Sequence, residues 1–317
     1  MTAPAAEGVR VDWQSVPVAI RTGIEAICGS PVVRASSQPG GFSPGVAARL
    51  ECADGRRRFV KAVSAEANPH SPSMHRREAE VLRGLDALIA AGDLPVPRLH
   101  GVFEAGPWIA LVLDDVDGRQ PAVPWNRTEL VQVLAAIDKL AEVLTPSPVS
   151  TASLAEQFRD DFAGWRTLGA APDLSRLDSW SAGHLHELAE LEESWPDLLA
   201  GDTLVHADLR ADNVLLAGDQ VLFVDWPSAC TGATFVDVAF MAPSVTMQGG
   251  PSPAEVVAMT RSGRAASRDA VLAAVCAVAG YLTERSLRPP PPGLPTVRAF
   301  QAAQGEIARR WLADLLR

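Results

Sequence analysis

The eight residues HADLRADN at 206–213, followed by the apolar run VLFVDW that carries Asp225, constrain this chain more than any other segment. They supply a carboxylate at Asp208, an amide at Asn213 and a second carboxylate at Asp225, where two turns can aim them at one metal-bound phosphate. Residues 203–205 form a short β-prone lead-in, 214–216 and 221–224 are apolar, and Gly218-Asp219 between the two runs reads as a hairpin turn. A hairpin there brings Asn213 and Asp225 to the same end. A transferring phosphoryl group spreads its negative charge over several oxygens, so a protein serves it mainly by positioning the acceptor, a cation and counter-charges. Asp208 suits the removal of a proton from an attacking hydroxyl, while Asn213 and Asp225 offer a neutral and an anionic oxygen to a hard cation such as Mg2+. Arg210, two residues past Asp208, is placed to lie against the phosphate. The plainer reading, in which His206 and Asp208 are buried hydrogen-bonding or capping groups, explains the motif but not its flanks.

Such chemistry needs a nucleotide-holding region upstream, and the first third of the chain offers one. In RRRFVKAV, Phe59, Lys61 and Val63 alternate with Val60 and Ala62, as a strand carrying a lysine would. Glu78 lies in MHRREAEVLRGLDALIA, where Ala79, Leu82, Leu85, Ala87, Leu88 and Ile89 mark an amphipathic helix. Between the β-prone runs PVVRAS and VAARLECA, Gly40, Gly41 and Gly45 allow a tight turn that can approach phosphate oxygens, although the same composition serves any hairpin. WIALVLDDVDG then runs from a hydrophobic strand into a turn at Asp117-Gly118.

In these segments the chain resembles the aminoglycoside phosphotransferase family, small-molecule kinases of the protein-kinase-like fold. There an H-x-D-x-x-x-x-N loop carries the catalytic aspartate and a metal-binding asparagine, and an aspartate after the next strand is the second metal ligand. The resemblance assigns these roles to Asp208, Asn213 and Asp225, with Asp225-Trp226-Pro227 in place of the kinase D-F-G. It makes Lys61 and Glu78 the nucleotide-binding lysine and its helix-borne partner, Asp237 in FVDVAF the brace of the catalytic loop, and Ser43 in GFSPG a contact to the β-phosphate. Leu113 would back the base pocket, with the Asp114 carbonyl and the Val116 amide meeting the nucleobase edge. The fold implied is α+β and bilobal: a nucleotide-binding lobe of antiparallel sheet with helices over 1–113, a hinge at 114–118, and a mainly α-helical lobe over 119–317.

Length agrees, since 317 residues exceed the usual single core. Past the hinge, apolar residues recur at helical intervals over 130–144, 154–168 and 185–191, then 236–245, 265–282 and 296–316, with the proline-dense stretch 288–295 as a rigid connection. A formal net charge of −10 opposes a nucleic-acid partner, which would want a basic stripe; Arg56, Arg57 and Arg58 read as a solvated hairpin. Acidity slightly favours a cationic substrate and equally serves solubility. Cys28, Cys52, Cys230 and Cys276 are scattered, as reduced thiols of a cytoplasmic protein would be, and His70, His75, His184 and His186 match no compact zinc signature. The start MTAPAAEG has no secretory character, and VLAAVCAVAGYL is too short to span a bilayer, so no membrane partner is expected. Trp165, Trp180 and Trp195 are a conceivable stacking wall for a ring, and Asp173, Asp178 and Glu187 conceivable receivers of amines, though core tryptophans and solvated carboxylates are the commoner fates.

The expectation is therefore an enzyme, monomeric or homodimeric, that moves the γ-phosphate of ATP or GTP with Mg2+ to a hydroxyl of a small polar molecule. An aminoglycoside or other antibiotic is one acceptor class, and a primary metabolite such as a sugar or amino alcohol the alternative. A protein kinase is disfavoured by the missing H-R-D and A-P-E signatures. A non-catalytic nucleotide-binding regulator would be expected to have lost a metal ligand or Lys61, and both are present.

Overall fold

The computed structural model of the chain describes residues 4, 6–42, 44–170 and 175–317. Ser43 and Asp173 lie outside the described residues. After helix α1 (Val18–Cys28) come strands β1 (Val32–Ser37), β2 (Val46–Cys52) and β3 (Arg57–Ser64), helix α2 (Ser71–Ala91), and strands β4 (Leu99–Ala105) and β5 (Trp108–Asp114). They form one antiparallel sheet in the order β1-β2-β3-β5-β4. The two-residue period of the strands sorts their side chains. Val60, Ala62, Ala110 and Val112 face a small core with Ile20 and Ile24 of α1, whereas Val63, Ile109, Leu111 and Leu113 join Ala79, Leu82 and Leu85 of α2 in the large core. Gly23 is needed on α1, because a Cβ there would stand 2.4 Å from the Phe103 ring of β4.

The rest is mainly helical: α3 (Arg127–Val143), α4 (Leu154–Phe158), α5 (Gly164–Gly169), α6 (Ser179–Gly183), α7 (Leu185–Glu192) and α8 (Trp195–Leu198), then α9 (Val236–Met247), α10 (Pro253–Ala258), α11 (Arg261–Ala265), α12 (Arg268–Ser286) and α13 (Val297–Leu315). Set among them are two small antiparallel pairs, β6 (Thr203–Val205) with β9 (Cys230–Gly232) and β7 (Val214–Ala217) with β8 (Gln220–Phe223). This is the expected α+β, protein-kinase-like arrangement. The β7–β8 turn falls on Gly218, whose φ of +59° suits glycine, and Asp219.

Several local expectations are corrected. The helix expected over 154–168 is two helices, separated where Gly164 lies so close to the Gly280 main chain that a Cβ would fall 2.2 Å from its carbonyl carbon. The helix expected from 265 begins at Arg268, capped by Ser267, and runs on to Ser286. Trp165 and Trp195 are no stacking wall. Both are buried in the core, their indole N–H groups donating to the Cys276 and Phe162 carbonyls at 2.9 and 3.1 Å. Asp178 caps α6 and pairs with Arg309, while Glu187 is exposed. His184 Nδ1 donates to the Trp180 carbonyl at 2.8 Å and its ring stacks on the Trp180 ring, and His186 pairs with Glu190. The four cysteines are buried and free. Among the described residues no helix is long and apolar enough to cross a membrane.

Candidate active site

Val224 ties the catalytic-loop segment to the end of β8 through its amide and its carbonyl. Its amide donates to the Asn213 carbonyl at 3.0 Å, and its carbonyl accepts from His206 Nε2 at 2.9 Å. Through these bonds the loop holding Asp208 and Asn213 is fixed to the strand end that leads into Asp225. His206 is fully buried and its Nδ1 accepts from the Asp208 amide at 3.3 Å, a pattern that requires the neutral ring with its proton on Nε2. Burial, joined by the charges of Arg210 and Lys61, holds its pKa down to about 4 and keeps that state. The ring lies 4.7 Å from that of Trp226, which is itself buried.

Asp237 at the start of α9 accepts from the His206 and Ala207 amides at 3.0 and 2.8 Å. Ala207 has a φ of +60°, a conformation that costs a residue with a Cβ about 1 kcal/mol, so the paired bonds hold a strained turn in place. Burial raises the Asp237 carboxyl to about 6 against the pull of those amides. Asp225 is likewise left-handed at +70°.

Around this frame the charged groups are matched. Lys61 Nζ of β3 stands 2.7 and 3.0 Å from the two oxygens of Glu78 on α2, and 2.5 Å from Asp225 Oδ1. Burial alone would lower the lysine pKa and raise that of Asp225. The carboxylates outweigh it for Lys61, which is raised, and the ammonium outweighs it for Asp225, which is lowered to about 2. Arg210 pairs with Asp208 and forks onto Asp212 with two bonds of 3.1 Å. Burial pushes the Asp208 carboxyl up, aided by the negative Asp212 and Asp225 and opposed by Arg210. Because 36% of that side chain is open, solvent moderates the size of the effect while its direction stands.

Asn213 spends its amide nitrogen on the Asp208 carbonyl at 2.7 Å, which leaves its oxygen as the group able to meet a cation. One neutral and one anionic oxygen fit Mg2+, which is commonly held by one or two protein ligands together with phosphate oxygens. Among the described residues there is no group of three or more His, Cys, Asp and Glu side chains able to hold a metal without such help.

The structure thus brings Asp208, Arg210, Asn213, Asp225, Lys61 and Glu78 together. Leu113, the penultimate residue of β5, is buried in the large core, and Asp114 ends the strand. The Asp114 side chain is turned to the Arg98 amide and His100, and the Val116 carbonyl accepts from Arg49 at 2.9 Å. Asp115, only 1% exposed, pairs with Arg49 and Arg57 and so pins the connection to the sheet. A further tie comes at Arg119, which exchanges main-chain bonds with Leu216 of β7. Three members escaped the sequence reading: Asp212, and the rings of Phe42 and Phe300 that flank Arg210 at 5.6 and 6.0 Å. Asp212 lies inside the motif itself, and its spacing of two from Arg210 was the available signal.

A family model described as "Phosphotransferase enzyme family" matches residues 39–269. A homoserine kinase of Methylobacterium nodulans is 48% identical over 54 residues, covering 17% of this chain and 16% of that protein. One of Rhizobium meliloti is 30% identical over 194 residues, 57% of this chain and 53% of its own length. The chain therefore spans at most about half the length (53%) of these two curated relatives in the matched stretches. Among solved structures, an aminoglycoside phosphotransferase in ternary complex with ADP and hygromycin B superposes with a TM-score of 0.60 at 15% identity, over 95% of this chain and 98% of that one. At that identity the likeness speaks for the fold.

Proposed function

The chain belongs to the phosphotransferase enzyme family, and from that premise we propose that it is a small-molecule kinase, moving the γ-phosphate of ATP or GTP to a hydroxyl of a small polar acceptor. The observation that carries this reading is the convergence of Asp208, Asn213 and Asp225 through the bonds that the Val224 amide and carbonyl make to the Asn213 carbonyl and the His206 ring. In this reading residues 1–113 hold the nucleotide, 114–118 are the hinge, and 119–317 hold the catalytic loop and the acceptor. Lys61, oriented by Glu78, reaches the nucleotide phosphates. Leu113 backs the base, whose edge meets the main chain of Asp114 and Val116, and Ser43 contributes a phosphate contact that rests on its motif alone. Asp208 takes up the acceptor hydroxyl's proton as the oxygen attacks, and its raised pKa brings its basicity toward the neutral range. Arg210 holds Asp208 in position and offers positive charge beside the phosphate. Asn213 and Asp225 would hold Mg2+, whose chemistry is to neutralise charge on the phosphate oxygens.

For the acceptor, an amino alcohol of the homoserine kind is favoured over an aminoglycoside by the 48% identity of the short match to a homoserine kinase. The test is to incubate the protein with Mg2+ and ATP or GTP against homoserine, related amino alcohols, sugars and aminoglycosides, and to search for products heavier by one phosphate. Phosphorylation of homoserine at the highest kcat/KM supports the reading; an aminoglycoside preferred over it overturns the acceptor assignment. Nucleotide binding with no transfer to any of them would favour a regulator in place of an enzyme.

A further inference from the structure

Residues 7–11, ahead of the first helix, are tied to two distant parts of the chain. They run beside the glycine-rich segment, with bridges between Glu7 and Gly41 and between Arg10 and Gly45, and main-chain bonds from Gly45 to Val9 and from Val11 to Gly45 of 3.1 and 3.0 Å. Their other side is held by the proline-dense connection and the start of α13: the Val9 amide donates to the Gly293 carbonyl at 2.8 Å, and the Glu7 amide to Thr296 Oγ1 at 3.2 Å. The glycine-rich segment meets the same region directly, since the Phe42 and Phe300 rings stand edge to face at 5.1 Å.

This places one cation where phosphates are expected. Arg10 Nε donates to the Gln38 carbonyl at 3.2 Å and its Nη2 to the Gly40 carbonyl. A Cβ on Gly41 would stand 3.4 Å from that Nη2, so the guanidinium lies against the turn of the segment. The segment in turn covers the catalytic loop, because Phe42 packs on Arg210, which pairs with Asp208. Arg10 is also close enough to Asp225 for that carboxylate to offset part of what burial does to it. The guanidinium therefore lies against the glycine-rich turn and feels the charge of the aspartate assigned to the metal. A guanidinium stays charged and carries five N–H donors, so one that bonds the carbonyls of a turn can still attract a phosphate beside that turn.

We propose that Arg10 is a nucleotide-phosphate ligand, delivered by residues 7–11 acting as a strap that ties the glycine-rich segment to the start of α13. The inference rests on the nucleotide-binding reading above. It adds a cation from outside the motif region to Lys61, and it makes the strap part of the phosphate site.

The experiment is calorimetric titration of wild type, Arg10→Ala and Arg10→Lys with ADP in the presence of Mg2+ and, separately, with adenosine. Loss of one charge-assisted phosphate contact is expected to weaken ADP about tenfold in Arg10→Ala. Adenosine, which has no phosphate, should bind as to wild type. Arg10→Lys keeps the charge on a long stem and should show the same ordering with a smaller loss. ADP binding unchanged in both variants, or ADP and adenosine weakened in parallel, overturns the inference, the second result marking Arg10 as a staple of the turn only. Failure of the wild-type chain to bind either ligand would instead bring down the function proposed above, and this inference with it.

Discussion

Lys61 Nζ and Asp225 Oδ1 stand 2.5 Å apart although 164 positions separate them in the sequence. The lysine assigned to the phosphates and the aspartate assigned to the metal neutralise one another. In the proposed reading, Lys61 would pair with a nucleotide phosphate and Asp225 with a cation, so that neither buried charge would be left without a partner.

Replacing Lys61 by Met should therefore act on stability as well as on binding. Glu78, 2% exposed, would be left a buried carboxylate with the Trp226 amide at 3.4 Å as its remaining donor. Breaking one side of a buried pair costs about 3–5 kcal/mol. Urea unfolding should show a loss of that order, and adding Glu78→Gln should recover most of it. Turnover should stay absent in the double variant, so recovered activity would contradict the phosphate role.

Asp208→Asn keeps the shape of the side chain and removes its basicity. Turnover, followed by ADP release, should fall by about 10²- to 10⁴-fold, the usual contribution of a positioned base. Calorimetric affinity for ADP should change little, because the groups assigned to the nucleotide are untouched. A variant that turns over like wild type would remove Asp208 from the proposed role.

His75 provides a pH test at a group that is not itself assigned to the metal, although the Asp225 charge acts on it weakly against burial. It is buried on α2, with Nδ1 at 3.1 Å from the Ser71 carbonyl, and burial together with the Lys61 charge lowers its pKa to about 4. The sign follows from linkage: between 6.5 and about 4 the unfolded chain binds a proton that the folded chain refuses, so this contribution is whole above 6.5 and is lost as pH falls. Asp208 and Asp237, with raised values, act in the opposite sense over part of the same range. Comparison with His75→Gln isolates the histidine. The stability advantage of wild type over the variant should shrink by about 3 kcal/mol between pH 7 and 4, at about 1.4 kcal/mol per pKa unit. An advantage that does not change with pH would mean the ring charges freely in the folded state.

The site was legible where its parts are local. Asp208, Asn213 and Asp225 fall within one loop and one hairpin, and the turn at Gly218 fixes their register, so spacing alone carried the geometry. The strand of Lys61 and the amphipathic helix of Glu78 were legible from their periodicity, and the pairing of the two residues came from the family resemblance. Edge strand β4 was not, since its burial follows no strict alternation, and β9, α10 and α11 are too short for a periodic signal. Phe42 meeting Phe300, and Arg10 reaching Gly40, join opposite ends of the chain, and no window of sequence contains both partners. The break between α4 and α5 has the same origin: it is set by how closely Gly164 approaches Gly280, a demand of packing and not of local propensity.

That close approach can be weighed against helix propensity. Gly280 lies inside α12, where alanine is intrinsically better than glycine by about 1 kcal/mol. A Cβ at Gly280, however, would stand 2.7 Å from both Glu192 Oε1 and Trp165 Cδ1. Glu192 is fully buried and accepts from the Trp165 and Arg166 amides at 3.0 and 3.2 Å, closing the start of α5, so it has little room to yield. Overpacking of this kind costs about 1–3 kcal/mol, and displacing the carboxylate from its two amides adds about 1 kcal/mol or more. The clash outweighs the propensity gain, and Gly280→Ala should be destabilised in urea unfolding. Gly183, which ends α6 with nothing within 4 Å of a Cβ, is the control, and Gly183→Ala should be neutral or slightly stabilised. If Gly280→Ala proved as stable as that control, the α5–α12 contact would be looser than the distances describe.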